Sequence, residues 1–245
     1  MLSTIYLNCL PLLSGLTIIF ICEKKQGDKY SDSDRYRLII AAAIGAFIGS
    51  RLLALLEHPS LLHFDATLLI SMFTSKTIVG GLLGGLFAIE IAKKIYGYRF
   101  SSGDLLVYPL IVAMIIGRVG CHIHGLHDAT VGIATTHPFA LDYGDGILRH
   151  PTSLYEIAFL ILLFIGLKLL THYVRFQEGA CFKIFLISYL FFRLLIEFIK
   201  PGVIVFIGLT PIQCACILGL AYYLPVMLHP LRLMTNKATG SENAN

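Results

Sequence analysis

Leu105-Leu106-Val107-Tyr108-Pro109-Leu110-Ile111-Val112-Ala113-Met114-Ile115-Ile116-Gly117 runs without a charge and then meets Arg118. Carried on to residue 123, the segment has close to the roughly 20 residues that an α-helix needs to cross the hydrocarbon core of a bilayer. Six further blocks of this kind predict helices over 2–22, 38–56, 77–92, 154–170, 181–199 and 203–227. Together they predict an all-α, polytopic membrane protein with seven transmembrane helices. The composition agrees. Apolar residues make up 56% of the 245, charged residues 14%, and the mean hydropathy is +0.78, against roughly 45–50% apolar and about 25% charged in soluble domains. The block at 2–22 lacks a basic leader and a small-residue cleavage site, so it reads as the first span rather than a removable signal peptide.

Lysine and arginine sort strongly between alternate connections. Lys24, Lys25, Lys29, Arg35, Arg37, Lys93, Lys94, Arg99, Lys168, Arg175, Lys183, Arg232 and Lys237 fall on one side, which is 13 of the 19 basic residues. Only Lys76, Arg118, Arg149 and Lys200 fall on the other, while Arg51 and Arg193 lie inside helices. Basic loops stay cytoplasmic, which places the N-terminus outside and the C-terminus in the cytoplasm. Residues 1–235 read as a single transmembrane domain, and residues 236–245, polar and without periodicity, as a disordered cytoplasmic tail. A net charge of +4 with no concentrated basic stretch makes no case for nucleic acid. The six cysteines include no C-x-x-C pair and most sit in apolar runs, which favours buried thiols over disulfides or a zinc site.

Ionisable groups inside a membrane are costly and mark functional positions, and here they gather at one level. Arg51 lies in the outer half of the second span. Lys76 and Thr77 open the third, ahead of Gly80, Gly81, Gly84 and Gly85. Arg118 ends the clean part of the fourth, and Arg193 and Glu197 close the sixth with the i, i+4 spacing of a helical ion pair. The glycine run suits close helix packing first and ligand contact second. Arginines in excess of acidic partners suit a phosphate, whose geometry matches the guanidinium fork. The long connection from residue 118 to 151 carries His122, His124, His127 and Asp128, with His124 and Asp128 at i, i+4 spacing. These residues fit general-base chemistry better than a metal site.

Six stretches, in order, resemble the prolipoprotein diacylglyceryl transferase family. Gly49-Ser50-Arg51-Leu52 is similar to its G-A-R-L, and Gly80-Gly81-Leu82-Leu83-Gly84-Gly85 to its H-G-G-L-x-G. Gly117-Arg118-Val119-Gly120 resembles the opening of G-R-x-G-N-F-I-N-G-E. Arg149-His150-Pro151-Thr152-Ser153-Leu154-Tyr155-Glu156 resembles R-H-P-S-Q-L-Y-E, the most specific match. Phe192-Arg193 with Glu197 resembles F-R-x-x-x-E, and Leu209-Thr210 with Gln213 resembles L-T-x-x-Q. The resemblance implies seven spans and a periplasmic-side site that opens laterally to the bilayer of a bacterial inner membrane. Its implied substrates are phosphatidylglycerol and the signal peptide of a prolipoprotein, with no cofactor and no metal. It implies that Arg118 and Arg193 contact the lipid phosphate, that Glu197 supports them, and that a cysteine thiol attacks the glyceryl carbon with glycerol phosphate leaving. Tyr6 corresponds to the family's first-helix tyrosine by its distance from Lys24 and Lys25. The matched motifs further place Arg51, Gly80, Gly81, Gly117, Gly120, Cys121, Arg149, His150, Tyr155 and Gln213 at substrate-binding positions.

Several family residues are replaced. Val79 stands where the family has histidine, Cys121 and His124 where it has asparagines, Leu126 where it has glutamate, and Leu7 where a glycine follows the tyrosine. The side chains available for the missing proton transfer are His122, His124, His127, Asp128, Asp142 and Asp145. His124 and Asp128 lead this set and complete the candidate catalytic group with Arg118, Arg193, Glu197 and Tyr6. The competing functions are a non-catalytic paralogue that binds phospholipid or lipoprotein, a transferase with a different acceptor, and a small transporter. The last would need inverted repeats and midplane sites, and neither is visible.

Overall fold

The computed structural model describes residues 32–57, 76–98, 103–127, 131–205 and 208–234. The helix expected over 2–22, with Tyr6, and the tail at 236–245 lie outside the described residues. What is described is mostly helical: α1 (Asp32–Glu57), α2 (Ile78–Tyr96), α3 (Asp104–His124), α4 (Thr152–Tyr173), α5 (Ala180–Glu197), α6 (Pro211–Tyr222) and the short α7 (Leu224–Leu228). Between α3 and α4 lies a small antiparallel hairpin, β1 (Leu141–Asp142) and β2 (Leu148–Arg149), with Leu141 opposite Arg149 and Asp142 opposite Leu148. Among the described residues, three stretches are long and apolar enough to cross a membrane: Tyr36–Glu57 of α1, all of α3 and all of α4. Both α2 and α5 carry three charged residues each, Glu90, Lys93 and Lys94 in one and Lys183, Arg193 and Glu197 in the other.

The first two helices pack antiparallel through glycine. A Cβ on Gly84 would lie 2.3 Å from the Gly45 carbonyl oxygen and 2.9 Å from the Gly49 Cα, and one on Gly49 would lie 2.4 Å from the Gly80 oxygen. The atoms met are backbone and cannot step aside, so the glycine run of α2 serves helix approach. At one end of this pair Thr77 donates to the Ser50 carbonyl from both its backbone N–H (3.3 Å) and its hydroxyl (3.2 Å). At the other, Asp34 accepts from the Tyr98 hydroxyl. Gly84→Val therefore forces the two backbones apart. We expect it to cost about 1–3 kcal/mol, the usual penalty of overpacking, read as a lower unfolding temperature of the detergent-solubilised protein.

The second half is built on α5. Phe185, Leu186, Tyr189 and Leu190 have no exposed surface, and they form one core with Val107 and Ile111 of α3, Leu160 of α4 and Cys216 of α6. Asp104, the first residue of α3, ties the two helix starts together. Its carboxylate accepts from the Gly179 N–H (2.6 Å) and the Phe182 N–H (2.8 Å), two of the orphan donors at the start of α5. Packing of α6 against α5, α1 and α2 joins the two halves.

The expected helix over 203–227 is shorter and broken. Residues 203–205 are not helical, Gly208 takes φ +78°, and α6 begins only at Pro211. Thr210 and Gln213 form a reciprocal capping box that fixes this start: the Thr210 hydroxyl accepts from the Gln213 N–H (3.2 Å), and Gln213 Oε1 accepts from the Thr210 N–H (2.9 Å). Pro211 suits a first helical turn because its missing N–H would be unpaired there anyway.

Candidate functional site

The ends of α3 and α5 and the starts of α4 and α6 meet at one end of the bundle, and each brings buried polar groups. Arg118 is 5% exposed, Glu156 2%, Arg193 4% and Glu197 3%. Charges so far from water persist only when paired. Arg118 Nε lies 2.9 Å from Glu156 Oε1, across the α3–α4 seam, and Arg193 Nη2 lies 3.1 Å from Glu197 Oε2 along α5. The Tyr189 hydroxyl, one turn before Arg193, donates to the same Glu156 oxygen at 2.8 Å, tying α5 to the Arg118–Glu156 pair. Thr210 closes the other side, donating to Glu197 Oε1 at 3.4 Å. Glu57 at the end of α1 and Lys200 just beyond α5 are near enough to interact with the Arg193 and Glu197 charges.

The arginines do not stand as free positive charge, as their number against few acids suggests in the sequence. Each has its own glutamate. A guanidinium has five N–H donors, however, and these ion pairs engage Arg118 through Nε and Arg193 through Nη2. A guanidinium that keeps donors beyond its ion pair is chemically able to take a phosphate as well. Arg118 Nη1 also approaches Cys121 Sγ at 3.9 Å.

The other expected site residues divide. Gly117, Gly120 and Cys121 lie on α3 beside Arg118. Gly80 sits against Gly49 and Leu53, and Gly81 faces Ala46 and Ser50, so both belong to the α1–α2 interface. Arg51 stacks over the Phe47 ring at 5.2 Å on α1. Arg149 is spent on the hairpin, 2.5 Å from Asp145, and holds that carboxyl below the usual carboxylate range. His150 Nδ1 is 3.3 Å from the Tyr155 hydroxyl. Gln213 caps α6. The helix α3 ends at His124, where Gly125 takes φ +53° and a 3-10 turn follows; Asp128, the expected partner of His124, and Tyr6 lie outside the described residues.

Glu156, Tyr189, Ser153 and Thr210 were missed as site residues. Their signals were present: Glu156 is a carboxylate entering an apolar run, Tyr189 precedes Arg193 by one turn, and Thr210-Pro211 with Gln213 is a helix-start signature. Thr210→Val removes both the cap and the Glu197 contact. We expect a loss of about 1 kcal/mol, measured by chemical or thermal unfolding.

The chain matches the family model described as prolipoprotein diacylglyceryl transferase over residues 4–229. Among similar proteins, one from Ehrlichia ruminantium (strain Welgevonden) is 31% identical over 187 residues, covering 71% of this chain and 70% of that protein. Another, from Wolbachia sp. subsp. Brugia malayi (strain TRS), is 30% identical over 173 residues, covering 66% and 64%. A third, from Nitratidesulfovibrio vulgaris (strain DP4), is 33% identical over 147 residues, covering 56% and 54%. All three are named phosphatidylglycerol–prolipoprotein diacylglyceryl transferase. The chain thus spans about two thirds or less of the length of the Wolbachia and Nitratidesulfovibrio relatives, 64% and 54%.

Proposed function

The chain belongs to the prolipoprotein diacylglyceryl transferase family, and from this premise we propose that it transfers a diacylglyceryl group from phosphatidylglycerol to the thiol of a lipobox cysteine. The observation that carries the reading is the pair of buried arginine–glutamate ion pairs, Arg118–Glu156 and Arg193–Glu197, with Tyr189 of α5 bonded to Glu156. Such a site is expensive to maintain without a ligand that uses the charge.

In this proposal residues 1–235 form one domain that crosses a bacterial inner membrane seven times, with the N-terminus outside and residues 236–245 as a cytoplasmic tail. The support is the asymmetry of basic loops and the placement of Arg118, Arg193 and Glu197 at one end of the bundle. The donor lipid enters sideways from the outer leaflet, and the prolipoprotein signal peptide presents its cysteine there. Arg118 and Arg193 hold the phosphate with the N–H groups that the glutamates leave over. As the thiol sulfur attacks the glyceryl carbon, the C–O bond to the phosphate breaks and glycerol phosphate leaves with the electron pair. The same two arginines then face the added negative charge, where fixed donors lower the barrier most.

The test is transfer of labelled diacylglyceryl from phosphatidylglycerol vesicles to a synthetic lipobox peptide by the purified, reconstituted protein. Labelling of the peptide on its cysteine supports the proposal. Retained phosphatidylglycerol binding without labelling overturns it in favour of a lipid-binding paralogue or a different acceptor, the reading favoured by the replaced residues Val79, Cys121 and Leu126.

A further inference from the structure

We propose that His122 takes the proton from the acceptor thiol and that Ser153 orients it for that task, an inference that rests on the transferase reading above. The family's histidine position is occupied by Val79, which has no exposed surface and lies in the hydrophobic core, so no base stands there.

The geometry sets His122 apart from the other histidines. Along the antiparallel α3–α4 seam, Arg118 and Glu156 form one rung. One turn further, 118 to 122 on α3 and 156 back to 153 on α4, His122 Nδ1 and Ser153 Oγ form the next at 3.3 Å. Residues four apart on one helix and three apart on the other share a face. His124 is two residues on, which in a helix of 3.6 residues per turn points it away from that seam. His150 is engaged with the Tyr155 hydroxyl.

Ser153 is 5% exposed, whereas His122 is only partly buried, so the ring reaches from the buried Ser153 hydroxyl toward the surface. Tyr143 of the hairpin meets it edge on, with ring centroids 5.8 Å apart. Gly125 makes room for that tyrosine, since a Cβ there would come 3.2 Å from its ring. Among the described residues, the charged and titratable groups on the adjoining turns include Arg118 and Cys121 from its own helix, Glu156 from α4 and Tyr143 from the hairpin. With the proton on Nδ1 and donated to Ser153, Nε2 carries the lone pair of a base. Nε2 accepts the S–H proton, the sulfur forms its bond to the glyceryl carbon, and the C–O pair departs with glycerol phosphate. The imidazolium then returns its proton to the departing phosphate or to water.

The experiment compares the unmodified protein with His122→Phe, His122→Asn, Ser153→Ala and Ser153→Thr, reconstituted in phosphatidylglycerol vesicles, with the lipobox peptide as acceptor from pH 6.5 to 9.5. At pH 7 only about 3% of an ordinary thiol is ionised, so the His122 variants, left without the general base, are expected to be about 30-fold slower. At pH 9.5 the peptide thiol, with an ordinary pKa of about 8.5, is already ionised, and the deficit closes to within about threefold. Ser153→Ala follows the same pattern more weakly, and Ser153→Thr restores the rate. A deficit equal at every pH overturns the proposal, because a structural or lipid-binding role would give that result, and so does a variant rate equal to the unmodified one. Should the His122 substitutions prevent folding, the Ser153 pair decides by the same pH criterion. An unmodified protein inactive across the whole range overturns the transferase reading and this inference with it, whereas an active protein indifferent to His122 overturns only the latter.

Discussion

Arg118→Lys and Arg193→Lys are each expected to lower diacylglyceryl transfer by at least about 100-fold while the protein still folds. Lysine keeps the positive charge that Glu156 and Glu197 need as a partner, so the buried carboxylates are not abandoned. What lysine lacks is the planar fork. The contact to Glu156 runs through Nε of Arg118, at 2.9 Å, and only a guanidinium has further N–H groups in fixed directions to offer a phosphate at the same time. Removal of one fixed donor from a developing anion costs about 10²–10³ in rate. The measurement is the transfer assay in phosphatidylglycerol vesicles alongside a thermal unfolding curve. A lysine variant that folds normally and transfers at the unmodified rate would refute phosphate recognition by the fork.

Much of the helical layout was legible before any coordinates. Apolar blocks at 38–56, 105–123 and 154–170 became α1, α3 and α4 with a few residues added at the ends, because length and hydropathy dominate the choice of a membrane-spanning segment. The block at 203–227 misled for the same reason. Hydropathy does not register that Thr210-Pro211 with Gln213 starts a helix, and Val203, Ile204 and Val205 are as apolar outside a helix as within one. At the site, Arg193 and Glu197 were legible as a pair because their spacing lies within one helix. Arg118 and Glu156 were not, since periodicity tells which residues share a face and not which face of another helix it meets. Nor does periodicity tell which of His122 and His124 faces α4. Only the position of α4 distinguishes the two.

Glu156 carries the largest expected stability effect. Glu156→Ala leaves the Arg118 guanidinium, 5% exposed, without its carboxylate and removes the acceptor of the Tyr189 hydroxyl. Breaking one partner of a buried ion pair costs about 3–5 kcal/mol, which for a chain of this size corresponds to roughly 6–20 °C in unfolding temperature at about 2–4 °C per kcal/mol. Replacing both partners distinguishes the need for the pair from the need for its charge. In Arg118→Met/Glu156→Leu no buried charge is left alone and the volume is roughly kept, so the unfolding temperature is expected to return to the unmodified value or above it. Transfer is expected to be undetectable, because in the proposed mechanism the phosphate loses one of its two forks. If the double variant were as unstable as Glu156→Ala, the pair would be holding α3 against α4 by shape, and its charge would not be what destabilises the single variant. If it were stable and still transferred the lipid, Arg118 would have no part in recognising the donor, and Arg193 would have to serve alone.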